Sequence, residues 1–133
     1  MEYIKGVRWL SRVRTIDLQI KEKMYQIEAL YTCIGLQGIS YDKISVVTSP
    51  ENKFEKIIGD ITELKEECEE LQLRKAHVIR EISAKINTLG ECPERTILFG
   101  FYVGGNDMET LSNDLGYALS WCYKLRRKGI EAL

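Results

Sequence analysis

Between Met1 and Gly35 apolar residues recur in alternating steps of three and four: Ile4, Val7, Leu10, Val13, Ile16, Ile20, Met24, Ile27, Tyr31 and Ile34. That spacing puts them on one face of a helix, with Lys5, Arg8, Arg12, Arg14, Lys21, Glu22, Lys23 and Glu28 filling the rest. Trp9 lies beside the stripe and packs at its edge, while Gly6 weakens the helix near its start. At ~1.5 Å per residue the predicted helix is on the order of 50 Å long. A compact small domain cannot cover such a helix, so it requires a partner helix along its length.

The pattern breaks from Gly35 to Ser49. Gly35 and Gly38 are stop signals, and Ile39 to Thr48 is β-branched and partly alternating, an extended connector or a short strand. Ser49, Pro50 and Glu51 then restart a helix with an N-cap, a proline at the first helical position and acid in the first turn. Its stripe is Phe54, Ile57, Ile61, Leu64, Cys68, Leu71, Lys75, Val78, Ile82, Lys85 and Leu89, a heptad-like seam interrupted by two lysines. The two long helices predict an antiparallel hairpin, a dimeric bundle, or both, and the interrupted seam favours a dimer. Glu63, Glu66, Glu67, Glu69 and Glu70 form a solvated acidic face, since no residue of complementary type converges on them in sequence.

Gly90 to Pro93 ends the second helix and is the one candidate boundary, dividing residues 1–90, a helical hairpin or coiled coil with its connector at 35–49, from residues 91–133. A short helix over Glu94–Val103 presents Ile97, Leu98, Phe101 and Tyr102. Gly104, Gly105 and Asn106 make a turn, and no lysine with serine or threonine follows to make it a phosphate loop. Asn106 with Glu109 resembles a capping box, and Met108, Leu111 and Leu115 give the next helix its buried side. Gly116 stops that helix. The last helix buries Cys122, Leu125 and Ile130 and carries Lys124, Arg126, Arg127 and Lys128 outward.

Composition narrows the function classes. The 133 residues carry a net charge of −1, so attraction to nucleic acid must come from local asymmetry. That asymmetry exists in the last helix, where four cations face Glu131 alone. Cys33, Cys68, Cys92 and Cys122 are widely spaced and read as small buried thiols rather than a metal or disulfide framework. With His77 the only histidine and no assembly of nucleophile, base and orienting group, the chain does not read as an enzyme and implies no cofactor and no metal. No apolar run reaches membrane-spanning length, and the expected location is the cytoplasm.

Two helices meeting at a glycine corner, the second of them basic, is the pattern of a helix-turn-helix. Arg95-Thr96-Ile97-Leu98, Tyr102, Met108 to Tyr117, Tyr123-Lys124-Leu125 and Ile130 to Leu133 resemble the helix-turn-helix of sigma-factor region 4. With Leu10 to Leu30 and the Val47–Pro50 junction, nearly the whole chain is similar to small proteins of phages and prophages of Gram-positive bacteria, akin to ArpU-type late-gene regulators. The resemblance implies an all-α fold in which Asp107–Leu115 is the first helix of the reader and Ala118–Leu133 the recognition helix. It puts Leu119, Ser120, Trp121 and Lys124 toward bases and Arg126, Arg127 and Lys128 toward backbone phosphates. It also implies a bacterial host cell. Four positions depart from the family pattern: Ala118 stands where a capping serine is usual, Leu119 and Trp121 replace polar base-readers, and Gly100 replaces a basic residue.

The expected function is therefore transcriptional regulation by a homodimer on double-stranded DNA, with half-sites about 34 Å apart or a multiple of that. A competing expectation is an interaction or scaffold module in which Leu119, Trp121 and Tyr123 bind RNA polymerase or a second subunit. A third is a DNA-packaging role like that of small terminase subunits.

Overall fold

The computed structural model describes residues 1–35 and 50–133, with side chains for 1–35 and 54–133. Among these residues every regular element is helical: α1 (Tyr3–Leu10), α2 (Arg12–Cys33), α3 (Pro50–Asn87), α4 (Pro93–Leu98) passing into a π-helical turn (Phe99–Val103), α5 (Met108–Leu115) and α6 (Leu119–Ala132). No helix among them is long and apolar enough to cross a membrane. The extended stretch expected at Ile39–Thr48 and the Ser49 cap lie outside the described residues.

The single helix expected over Met1–Gly35 is bent at Ser11. The Ser11 amide still donates to the Val7 carbonyl at 2.9 Å and the Thr15 amide to the Ser11 carbonyl at 3.1 Å. Arg12 Nε, however, donates to the Trp9 carbonyl at 2.9 Å. A side chain entering the ladder at that point is an ordinary cause of a kink.

The chain divides into two compact units, Leu18–Leu73 and Met1–Asp17 with Arg74–Leu133. In the first, α2 and α3 pair antiparallel around buried Ile20, Ile34 and Ile61. Lys23 Nζ meets Glu67 Oε2 at 2.8 Å, and Lys65 Nζ donates to the Tyr31 hydroxyl at 2.8 Å. Met24, expected on the stripe, is exposed.

In the second unit the same pairing sense recurs, with Arg12 against Glu81 at 3.2 Å and Asp17 against Lys75 at 2.7 Å. Lys75 thus stays near the seam because it has a carboxylate to meet there. Lys85 does not. It is exposed, and Ile86 takes the inward position after Ile82. A helix of about 3.6 residues per turn drifts relative to a strict heptad, which brings the isoleucine in and carries the lysine out. In both units the long helices pair within the chain.

Gly90–Pro93 does not separate two cores. Leu10, Val13, Ile82, Ile86, Leu98, Tyr102 and Ile130 form one buried cluster that draws on both sides of that boundary. A second cluster, Ile97, Met108, Leu111, Cys122 and Leu125, lies beneath α5 and α6. The short helices α4 to α6 are too small to bury their apolar sides alone and use α1 and the end of α3 as their floor.

The helix α6 packs against α1, α4 and α5. Two glycines set how closely. A Cβ on Gly6 would run into Ile130 Cγ2, and one on Gly129 would meet Leu98 Cδ1 at 3.0 Å and Glu94 Cβ at 3.1 Å. Gly6 therefore does more than weaken α1: its missing side chain is the space that Ile130 occupies.

Gly6→Ala should lower stability by about 1–3 kcal/mol, because the β-branched Ile130 has little rotamer freedom with which to yield. That loss exceeds the gain in helix propensity, at most about 1 kcal/mol. Gly59→Ala, where nothing among the described residues lies within 4 Å of the added carbon, should instead stabilise. Urea denaturation of both variants measures the two opposite shifts.

Candidate nucleic-acid interface

The two short helices α5 and α6 are joined by Gly116, Tyr117 and Ala118. The cap of α5 is Asp107 rather than Asn106: its Oδ1 accepts from the Thr110 amide at 2.7 Å. Hydrogen bonds from the Thr110 side chain and amide hold the Asp107 carboxyl below its ordinary value of 3.8. At the other end Gly116 adopts φ 71° and ψ 21°, the left-handed conformation that releases the chain from a helix. The Tyr117 amide returns to the Ser112 carbonyl at 3.2 Å, and Ser112 Oγ donates to the Tyr117 carbonyl. These bonds fix the path of the turn. Ala118 takes the extended N-cap conformation, φ −62° and ψ 144°, without a side-chain capping bond.

The rotation of α6 follows from its buried residues. Cys122, Leu125, Gly129 and Ile130 point inward. At about 100° per residue, Ser120, Lys124, Arg127 and Lys128 then fall on the opposite side, and all four are exposed. Trp121 (45% exposed) and Tyr123 (46%) flank that basic strip, and Leu119 (38%) is the first residue of α6, nearly in line with Arg126. Arg127 Nε pairs with Glu131 Oε1 at 2.9 Å within the helix, and its Cζ lies 4.7 Å from the Tyr3 ring centroid. An exposed pair of this kind contributes little in water, so the guanidinium remains available to another anion.

Arg126 is the exception among the expected outward cations. It turns back toward α1 and the π-helical turn, donating from Nη2 to the Tyr3 hydroxyl at 3.0 Å. Its Cζ lies 5.2 Å from the centroids of both Phe101 and Tyr123. The aromatic faces replace part of the lost hydration, although Nε is buried without a hydrogen-bond partner among the described residues. Its angular position explains the turn, because Arg126 lies between the inward directions of Cys122 and Ile130. Burial raises the neighbouring Tyr102 hydroxyl above its usual value, with Arg126 and Arg14 acting in the opposite sense.

Compared with known proteins, the chain matches no family model, no curated protein and no solved structure. Gly100 faces Leu111 with no room for a Cβ, so no longer side chain fits there without a shift.

Sequence reasoning gave Tyr3, Arg14 and Phe101 no part in the site. Arg14 Nη2 donates to the Phe101 carbonyl at 3.4 Å, and its Cζ lies 4.0 Å from the Phe101 ring centroid. Its partner is 87 positions away in the chain, and no local pattern signals such a contact.

Two substitutions check the local account. Ala118→Ser should stabilise by about 0.5–1 kcal/mol by supplying the missing cap, read as a higher denaturation midpoint. Asp107→Asn keeps a capping side chain but removes the charge. Because the folded-state carboxyl is shifted downward, its contribution is present at neutral pH and fades as pH falls below 3.8. The thermal midpoints of wild type and Asp107→Asn should therefore differ at pH 7 and converge in acid.

Proposed function

We propose that the chain is a DNA-binding transcriptional regulator of phage or prophage type, in which α5 and α6 act as a helix-turn-helix and α6 enters the major groove. The observation that carries this reading is the two-sidedness of α6: its inner side is core, and its outer side is the basic strip Ser120, Lys124, Arg127 and Lys128. Lysine and arginine there would contact phosphates and fix the register of the helix. Ser120 is a hydrogen-bonding group near the start of α6, and Leu119 and Trp121 offer apolar contacts such as those made with thymine methyls. The glycine corner and the resemblance to sigma-factor region 4 support the same assignment. Arg126, turned inward, serves as a strut rather than a phosphate ligand.

The proposed unit is a homodimer. Leu18 and Tyr25 lie two turns apart on α2, away from the α3-facing residues, and are 59% and 66% exposed. A heptad-spaced apolar pair on an outer helix face suits a second copy of the chain.

A second reading is favoured by one observation: Leu119, Trp121, Tyr123 and Tyr117 are all exposed at the start of α6. Aromatic residues of this kind suit a protein partner such as RNA polymerase.

Fluorescence anisotropy with duplex DNA at several salt concentrations separates the two. The DNA reading requires log K to fall steeply with log[salt], and a Lys124→Gln/Arg127→Gln/Lys128→Gln variant should lose about one unit of slope per contact removed. Failure of the wild type to bind any duplex at low salt would overturn it in favour of the interaction module.

A further inference from the structure

The basic surface does not end at α6. Arg126 on α6 and Arg14 on α2 both lie over the Phe101 ring, at 5.2 Å and 4.0 Å from its centroid, and Arg126 also lies over Tyr123. Two guanidinium groups at these distances from one ring are at most about 9 Å apart, comparable to the screening length of about 8 Å at physiological ionic strength. Neither has a salt-bridge partner among the described residues, whereas Arg12, two positions from Arg14, is paired with Glu81. Like charges held together without a counter-charge make a site whose energy falls when an anion arrives.

The position of Arg14 is imposed rather than incidental. The π-helical turn Phe99–Val103 brings the Phe101 carbonyl and ring to Arg14, and the T-shaped packing of Phe101 on buried Tyr102, with centroids 4.9 Å apart, holds the ring. Arg14 itself is exposed, with part of its donor fork directed at the Phe101 carbonyl and the rest without a partner among the described residues. A planar fork with spare donors, on a different helix from the basic strip but linked to it through Phe101 and Arg126, suits a phosphodiester oxygen.

We propose that Arg14 is a backbone-phosphate contact, so that the anion-binding track runs from Lys124 and Arg127 on α6, past Tyr123 and Arg126, to the start of α2. This inference rests on the DNA-binding reading above and extends it to a residue outside the reader helices. Arg14 is the phosphate ligand, and Phe101 and Arg126 are positioning residues: the ring and carbonyl fix the guanidinium, and the second cation raises the local potential.

The test compares wild type, Arg14→Gln, Arg14→Lys and Arg80→Gln by anisotropy on one duplex across a series of KCl concentrations. Arg80 is an exposed cation on α3 with no place in the cluster. Arg14→Gln keeps a polar, hydrogen-bonding side chain but carries no charge. It should reduce the slope of log K against log[salt] by about one unit, with thermal midpoint unchanged. Arg14→Lys should keep the slope, and Arg80→Gln should behave as wild type. If Arg14→Gln loses helical content by circular dichroism, the test passes to Arg14→Met, whose apolar stem still packs on Phe101 and which must show the same reduction. A wild-type slope in a folded, uncharged Arg14 variant overturns the phosphate contact while leaving the DNA-binding reading standing. Absence of duplex binding by the wild type overturns both.

Discussion

The seating of Ile130 against Gly6, with Gly129 against Leu98, sets how the last helix lies on its neighbours. A helix turned by one residue changes its facing direction by about 100°, enough to exchange a buried side chain for a solvated one. The absence of two β-carbons lets α6 approach α1 and α4 more closely than any alanine would permit. That approach seats Ile130 in the main core and leaves Lys124, Arg127 and Lys128 on the outside. The outer face is a consequence of packing on the inner one.

The same constraint sets the fate of Arg126. A half-buried guanidinium has lost hydration and recovers part of it from two aromatic faces and the Tyr3 hydroxyl. This arrangement ties α1, the π-helical turn and α6 together at one point. It also places a positive charge just under the surface, where it adds to the field of the exposed cations without contacting solvent as they do. A chain with net charge −1 can thereby present a locally positive surface.

Along the long helices the cross-pairs serve a different purpose. Arg12–Glu81, Asp17–Lys75 and Lys23–Glu67 are all partly solvated, and pairs in contact with water contribute little to stability. Their value is in register: each cation meets its carboxylate only if the helices run antiparallel and slide to one alignment. The apolar contacts beneath them, from Ile20 and Ile61 in one unit to Val13 and Ile82 in the other, supply the stabilisation.

Much of this was determined by the sequence alone, because periodicity and capping act over a few residues. The helical class, the stop at Gly90, the proline start of α4, the left-handed glycine at Gly116 and the uncapped Ala118 are all local statements, and each recurs in the fold. The all-helical reading needed nothing else. Tertiary structure decided what depends on residues far apart in the chain. It bent the first helix at Ser11, merged both sides of the Gly90–Pro93 boundary into one core, and replaced Lys85 by Ile86 at the seam. It also turned Arg126 inward and joined Arg14 to Phe101. A pattern of three and four can assign a residue to one side of a helix, but the partner that side meets, and how closely, is settled only when distant segments compete for the same space.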